Sequence, residues 1–456
     1  MRMRPWILVA AVGLICGLGF ALLTPPLAGY DEPYHFLRAY QVSEGHLVAT
    51  HHGKQLGGAV PAGLPQDLDG VLTDGIFSRD RTKVLKHLGD APARGPKVFV
   101  DFAPSGVYAP VPYAPAALLI VIGRALGVST LVLIYLGRLG CLLGTIGLLA
   151  FAVARMPTRK WMLATVALLP VTILQASMLS ADGITIALTL VVLALALDTA
   201  ATPRGQVTTR RLIELSLATV ALGFAKPPYI LFALAFAIPW RRHGGAVARA
   251  LVAATVAGFA ATAAWGAYAS GVYVAPTYPN PSHDPFAVFT HVDPHKQETL
   301  MVHHPLSFLH TIERTLVHSW HSFLHEVIAQ APLVSLPPWV VVAGVAILAA
   351  GVAMPVTAPK AALRWRARAL LLALALAAFG ALMALAYAGW NAVGAPRISA
   401  FQGRYLVPLV PLVLVTLPVW TRDLGAVVRA RLEVLLAASS TLLLIAVELS
   451  LRAKFY

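Results

Sequence analysis

The sequence predicts an all-α, polytopic transmembrane protein of about eleven spans, within a range of about ten to thirteen. Three observations carry this. Of 456 residues, 58% are hydrophobic and 12% charged, against about 25% charged in a soluble domain. Apolar runs near the length of a bilayer-spanning helix recur along the chain. Basic residues cluster in the short segments between those runs. This composition excludes a soluble enzyme and a disordered chain. The formal net charge of +15 belongs to cytoplasmic loops rather than to a nucleic-acid site, so no nucleic-acid partner is expected. Cys16 and Cys141 lie in apolar segments, which points away from a disulfide framework.

The first span lies within residues 1–23. Arg2 and Arg4 precede it and hold the N-terminus in the cytoplasm. No small-x-small cleavage site follows before Asp31, so this is an uncleaved helix rather than a signal peptide. Residues 24–111 form a first loop region, rich in Pro and Gly, with nine of the twenty acidic residues. The stretch 112–127 is interrupted by Pro112, Pro115 and Arg124 and suits a juxtamembrane or re-entrant helix rather than a span. Further spans are expected at 129–154, 161–178, 182–199, 211–225, 227–240, 246–269, 335–355, 368–389, 402–421 and 430–450.

This count puts every basic cluster on the cytoplasmic side: Arg155/Arg159/Lys160, Arg204/Arg210/Arg211, Arg241/Arg242, Lys360/Arg364/Arg366/Arg368 and Arg422/Arg429/Arg431. A second loop, 270–334, and Tyr456 then lie outside with the first loop. Of 15 histidines, five fall in the first loop and nine between His283 and His325, so the two outer loops share a composition. The chain divides into an N-terminal membrane module (1–269), the second loop (270–334) and a C-terminal membrane module (335–456). No internal repeat is visible.

Polar residues that could carry chemistry are few. Asp31, His35 and Arg38 share one face of a helix beginning just beyond the first span. Asp31 is either a general base for a hydroxyl or a plain N-cap. Asp182 lies in apolar sequence, where a carboxylate is costly; the alternative is a cap at a helical turn. Lys226, before Pro227 and Pro228, suits a phosphate or snorkels to headgroups. Arg397 and Arg404, the latter with Gln402 and Tyr405, suit bidentate phosphate binding or anchor a helix end. Helix 306–328 has an apolar stripe of Leu309, Ile312, Leu316, Trp320, Phe323 and Val327, which suits a membrane surface. His310, Arg314, His318, His321 and His325 lie opposite, for anionic headgroups or, more weakly, a metal. The topology sets Asp31, Glu32, Asp182, Lys226, Arg397 and Arg404 at one membrane face.

These residues resemble the bacterial membrane family catalogued as domain of unknown function 2142. The likeness rests on Asp31-Glu32-Pro33-x-His35-Phe36-x-Arg38-Ala39-Tyr40-Gln41, Glu44 to Leu47, Tyr108-x-Pro110-x-x-Tyr113-x-Pro115, Gln175 to Asp182, Lys226 to Tyr229, and Gln402-Gly403-Arg404-Tyr405-x-x-Pro408. That family is similar in layout to the GT-C membrane glycosyltransferases, which take lipid-phosphate sugar donors. The resemblance implies Asp31 or Glu32 as the catalytic carboxylate. Joined to the residue chemistry above, this reading has Lys226, Arg397 and Arg404 hold the donor phosphate, with His35, Arg38, Asp182, Tyr108, Tyr113, Gln402 and Tyr405 in support. It leaves a divalent cation open, since the Asp-x-Asp motif of some members is absent. The implied activity is inverting transfer from a polyprenyl-phosphate-linked sugar to a surface glycan or lipid-linked acceptor. It would occur at the outer face of the bacterial inner membrane. A flippase for a lipid-linked envelope intermediate and a noncatalytic assembly protein are the rival expectations.

Overall fold

The computed structural model describes residues 3–78, 80–275, 291–356, 363–399, 401–418 and 424–456. His283, Lys360 and Arg422 lie outside these. The chain is mostly helical, at 74%. Helix α1 (Pro5–Leu23) leads into the first loop, which carries α2 (Glu32–Ser43) and strands β1 (Thr50–His52), β2 (Gln55–Pro61) and β3 (Lys97–Asp101). Next come α3 (Ala114–Ala125), α4 (Thr130–Arg155), the bent pair α5 (Lys160–Ala167) and α6 (Pro170–Ser177), α7 (Asp182–Ala201) and α8 (Thr209–Gly223). The remaining long helices are α9 (Gly245–Val272), α10 (Pro305–Ala329), α11 (Pro338–Ala353), α12 (Trp365–Trp390) and α13 (Gly425–Phe455).

Six helices (α1, α4, α7, α9, α12 and α13) are long and apolar enough to cross a membrane among the described residues. The α5–α6 pair, bent by 55°, makes a seventh. The other expected spans are shorter or broken. Helix α8 has 15 residues and α11 has 16. Segment 227–240 is a 3₁₀ helix, Pro227–Phe236, followed by a helical turn, Ala237–His243. Within 402–418, the described part of the segment 402–421, Pro408 and Pro411 limit the chain to a 3₁₀ turn, Gly403–Leu406, and a short helix, Leu409–Leu414.

The first loop corrects the all-α expectation. Its strands form an antiparallel sheet in the order β1-β2-β3, with Thr50 opposite Gly57 and Gly57 opposite Asp101. A tight turn joins β1 to β2, and Gly53 supplies its left-handed φ of 62°. The Gly-Gly pair within β2 reads as a turn in sequence, so the strand escapes pattern reading. Leu56, Val60 and Phe102 nevertheless pack with Phe36 of α2 and Tyr113 in one buried cluster.

The basic clusters gather at one end. Arg155 pairs with Glu214 and Asp198, and Arg211 Nη2 reaches Asp198 at 3.0 Å. Arg242 donates to Ala200 O at 2.7 Å, and Arg159 donates to Leu417 O. At the other end the two loops meet. Trp265 Nε1 and Tyr268 Oη at the end of α9 donate to Val107 O and Ala49 O of the first loop. The Arg81 guanidinium lies 5.2 Å from the ring centroid of Tyr456. Both loops and the last residue therefore share the end opposite the basic clusters.

Helix α10 departs from the expected single stripe. Phe323 is buried and Ile312 and Leu316 pack on the core, whereas Leu309 and Trp320 are exposed.

Candidate functional site

Asp31 stands at the N-terminus of α2 with φ 55° and ψ 19°, in the left-handed region. Its side chain is exposed and makes no capping hydrogen bond. A backbone held in that region without a local bond to reward it is set by its surroundings. The setting comes from the next residue.

Glu32 is fully buried and bound to Arg138, also fully buried, in the middle of α4. Arg138 Nε and Nη2 donate to Glu32 Oε1 and Oε2, each at 2.7 Å. Its other N–H groups reach Ala21 O, Thr24 O and Pro25 O at 2.7–2.8 Å. Glu32 Oε2 also accepts Gly29 N–H at 2.9 Å, and Oε1 accepts Leu179 N–H at 3.1 Å.

Asp182, Lys226 and Arg404 converge and are buried. Asp182 begins α7, Lys226 precedes the 3₁₀ helix and Arg404 sits in the 3₁₀ turn before Leu409–Leu414. Lys226 Nζ reaches Asp182 Oδ1 at 2.5 Å, and Arg404 Nε reaches Oδ2 at 2.8 Å. Gln402 Oε1 accepts a further Arg404 N–H. Tyrosines wall the cations. Arg404 lies 4.4 Å from the Tyr30 ring and 5.1 Å from the Tyr405 ring. Lys226 lies 4.1 Å from the Tyr405 ring and 5.6 Å from the Tyr108 ring.

The support runs outward from there. His35 Nδ1 is hydrogen-bonded to Tyr113 Oη at 2.6 Å, and burial pushes the imidazole down to about 4. The charges of Asp31, Asp182, Lys226 and Arg404 all act on it. Arg38 is spent on backbone, donating to Tyr108 O and Leu47 O, and on Gln41. Helix α10 closes the far side. Glu326 accepts Gly403 N–H, and a Cβ at Gly403 would lie 2.5 Å from Phe323 O. Glycine is what lets the Arg404 turn sit against α10.

Of the residues singled out in sequence, Asp31, His35, Asp182, Tyr108, Tyr113, Lys226, Gln402, Arg404 and Tyr405 come together. Arg397 does not: it is exposed and makes no ion pair among the described residues. Glu32 and Arg38 adjoin the cluster with their hydrogen-bonding capacity largely committed. Sequence reasoning missed Arg138, Tyr30 and Glu326. Arg138 carried a signal, as an arginine in the middle of an apolar helix; the other two carried none.

The donor set does not suit a divalent cation. Such an ion takes several oxygen ligands, yet each Glu32 oxygen accepts two N–H bonds and each Asp182 oxygen faces a cation. Among the described residues, no three His, Cys, Asp or Glu side chains are grouped to hold a metal.

No curated protein and no solved structure matches the chain. A family model does, over residues 14–413, which take in every element of the cluster. The chain therefore belongs to the family of predicted membrane proteins described as DUF2142.

Proposed function

We propose that the protein is a GT-C-like inverting glycosyltransferase of about eleven spans, with its N-terminus in the cytoplasm of a bacterium. It acts at the outer face of the inner membrane, where a polyprenyl-phosphate sugar is the donor and a surface glycan or lipid-linked saccharide the acceptor. One observation carries this reading. An exposed carboxylate without a capping bond, Asp31, follows Tyr30, whose ring lies 4.4 Å from Arg404, and Arg404 shares Asp182 with the second buried cation, Lys226.

In this mechanism Asp31 takes the proton of the acceptor hydroxyl. The hydroxyl oxygen bonds the anomeric carbon on the face opposite the phosphate. The bond from that carbon to the phosphate oxygen breaks, and its electron pair leaves on the phosphate. Lys226 and Arg404 stabilise that charge. Glu32, with its lone pairs occupied, serves as an anchor rather than a base, and the exposed Arg397 is not needed at the phosphate.

The flippase rival draws on one feature: three broken segments, at 167–182, 226–243 and 403–414, meet at the cluster, as discontinuous helices do in transporters. Transporter sites of that kind lie near the midplane, whereas this cluster lies at the loop end. Purified protein in proteoliposomes decides between the two. Transfer of labelled sugar from a polyprenyl-phosphate donor, lost in Asp31→Asn, supports the enzyme. Transbilayer movement of the lipid without transfer overturns it.

A further inference from the structure

Helix α10 has three distinct sides. Residues of an α-helix advance about 100° each. On one side Phe308, Thr311, Ile312, Thr315, Leu316 and Phe323 face the protein, with Thr311, Thr315 and Phe323 buried. A second side carries Leu306, Leu309, Val317, Trp320 and Leu324, all exposed, with Leu306 and Val317 at 70% and 73%. Val302, in the preceding helix Pro294–His303, is also exposed, at 76%. The third side carries His310, Arg314, His318 and His321, also exposed. Glu313 falls within the apolar side, and its carboxylate turns to His310 Nδ1 at 3.2 Å.

Water on all free sides would leave an apolar strip about five turns long unexplained, since large exposed apolar patches on a folded protein mark contact surfaces. A single apolar side would already be used up against the core. The second apolar side therefore has its own partner. The adjoining side, with a guanidinium and imidazoles and no carboxylate of its own, suits phosphate oxygens.

We infer that α10 lies in the membrane–water interface, with Leu306, Leu309, Val317, Trp320 and Leu324 among the acyl chains of outer-leaflet phospholipids. His310, Arg314, His318 and His321 meet the headgroup phosphates. Depth markers agree. Trp320 and, beyond the helix, Trp339 are exposed at 50% and 53%, and tryptophan concentrates at this level of a bilayer. The helix is amphipathic and is not among the apolar spans, which fits a helix lying in the interfacial plane.

Cys16 and Cys141 are buried, so a bulky maleimide fluorophore reports an introduced cysteine. Val317→Cys and His318→Cys, one residue apart, are labelled in the full chain within lipid nanodiscs of phosphatidylglycerol and phosphatidylethanolamine. At position 317 brominated acyl chains should quench several-fold more than aqueous iodide. At 318 iodide should be the stronger quencher. Leu306→Cys repeats the apolar side if Val317→Cys does not fold. Equal iodide quenching at 317 and 318 overturns the inference, because both sides then face water. Protection of 317 from both quenchers overturns it too, because a protein then covers the strip. A disulfide-linked dimer formed through Leu309→Cys assigns the strip to a second copy of the chain.

Discussion

The Glu32 carboxylate and the Arg138 guanidinium leave nothing over. All five Arg138 N–H groups have acceptors, and both Glu32 oxygens accept two donors each. The pair ties the end of α1, the start of α2, the middle of α4 and the turn before α7 into one unit. Breaking a buried pair from one side typically costs about 3–5 kcal/mol. Glu32→Gln and Arg138→Gln should each cost the detergent-purified protein stability of that order, read as a lowered thermal midpoint. A Glu32→Gln variant with an unchanged midpoint would show that the pair is dispensable.

Asp31 should behave in the opposite way. Asp31→Asn removes the charge, and asparagine tolerates a left-handed backbone, so the fold should hold while turnover falls by about 10²–10⁴-fold. Asp31→Ala adds the strain of a left-handed alanine, about 1–2 kcal/mol. Full transfer activity in Asp31→Asn would remove the base from the mechanism.

The cations are tested by binding. Lys226→Ala and Arg404→Ala should each weaken polyprenyl-phosphate binding by about 1.5–3 kcal/mol, the worth of a hydrogen bond to a charged group. Arg404→Lys should also be impaired, because lysine lacks the planar fork. Asp182→Asn leaves both cations without a counter-charge and should lower the thermal midpoint. Added polyprenyl phosphate should restore part of that loss, since a ligand bound only by the folded state stabilises it. Isothermal titration and thermal scans with and without lipid read both effects.

Acid should loosen the site through His35. An unfolded imidazole takes up its proton near pH 6.5, while burial holds the folded one down to about 4. Between these values the unfolded chain binds more protons than the folded one, so stability falls as pH falls through that window. It is intact above about pH 6.5. His35→Asn, which keeps a polar partner for Tyr113, should flatten the slope of thermal midpoint against pH between about 6.5 and 4. An unchanged slope would mean that His35 titrates as it does in water.

Topology is open to labelling. Cysteines at His291 and Tyr456 should react with a membrane-impermeant maleimide from the same side as one at Lys54, and one at Arg204 only after rupture. Arg81 against the Tyr456 ring requires the first loop and the last residue to agree, and opposite accessibility would break that contact.

What sequence made legible follows from periodicity and cost. Long apolar helices declare themselves, and α1, α4, α7, α9, α12 and α13 stand close to the expected bounds. Polar residues in apolar surroundings are expensive enough to be conspicuous, which is why Asp182, Lys226 and Arg404 stood out. The rest hid for specific reasons. The β2 strand hid behind its glycines. The stripe on α10 merged two apolar sides, because pattern alone cannot tell a side that meets protein from one that meets lipid. Tyr30 and Glu326, 296 positions apart, acquire their place only when the chain folds back to the same turn.

The sharing of Asp182 between Lys226 and Arg404 has a consequence for traffic through the site. Two cations and one carboxylate leave a single positive charge. A sugar-carrying phosphodiester bears one negative charge and balances it. In the proposed reaction the monoester left after transfer bears up to two, while Asp31 has taken up a proton. Both changes strengthen the pull of Lys226 and Arg404, so the spent carrier is held more firmly than the donor and its release sets the pace of the cycle.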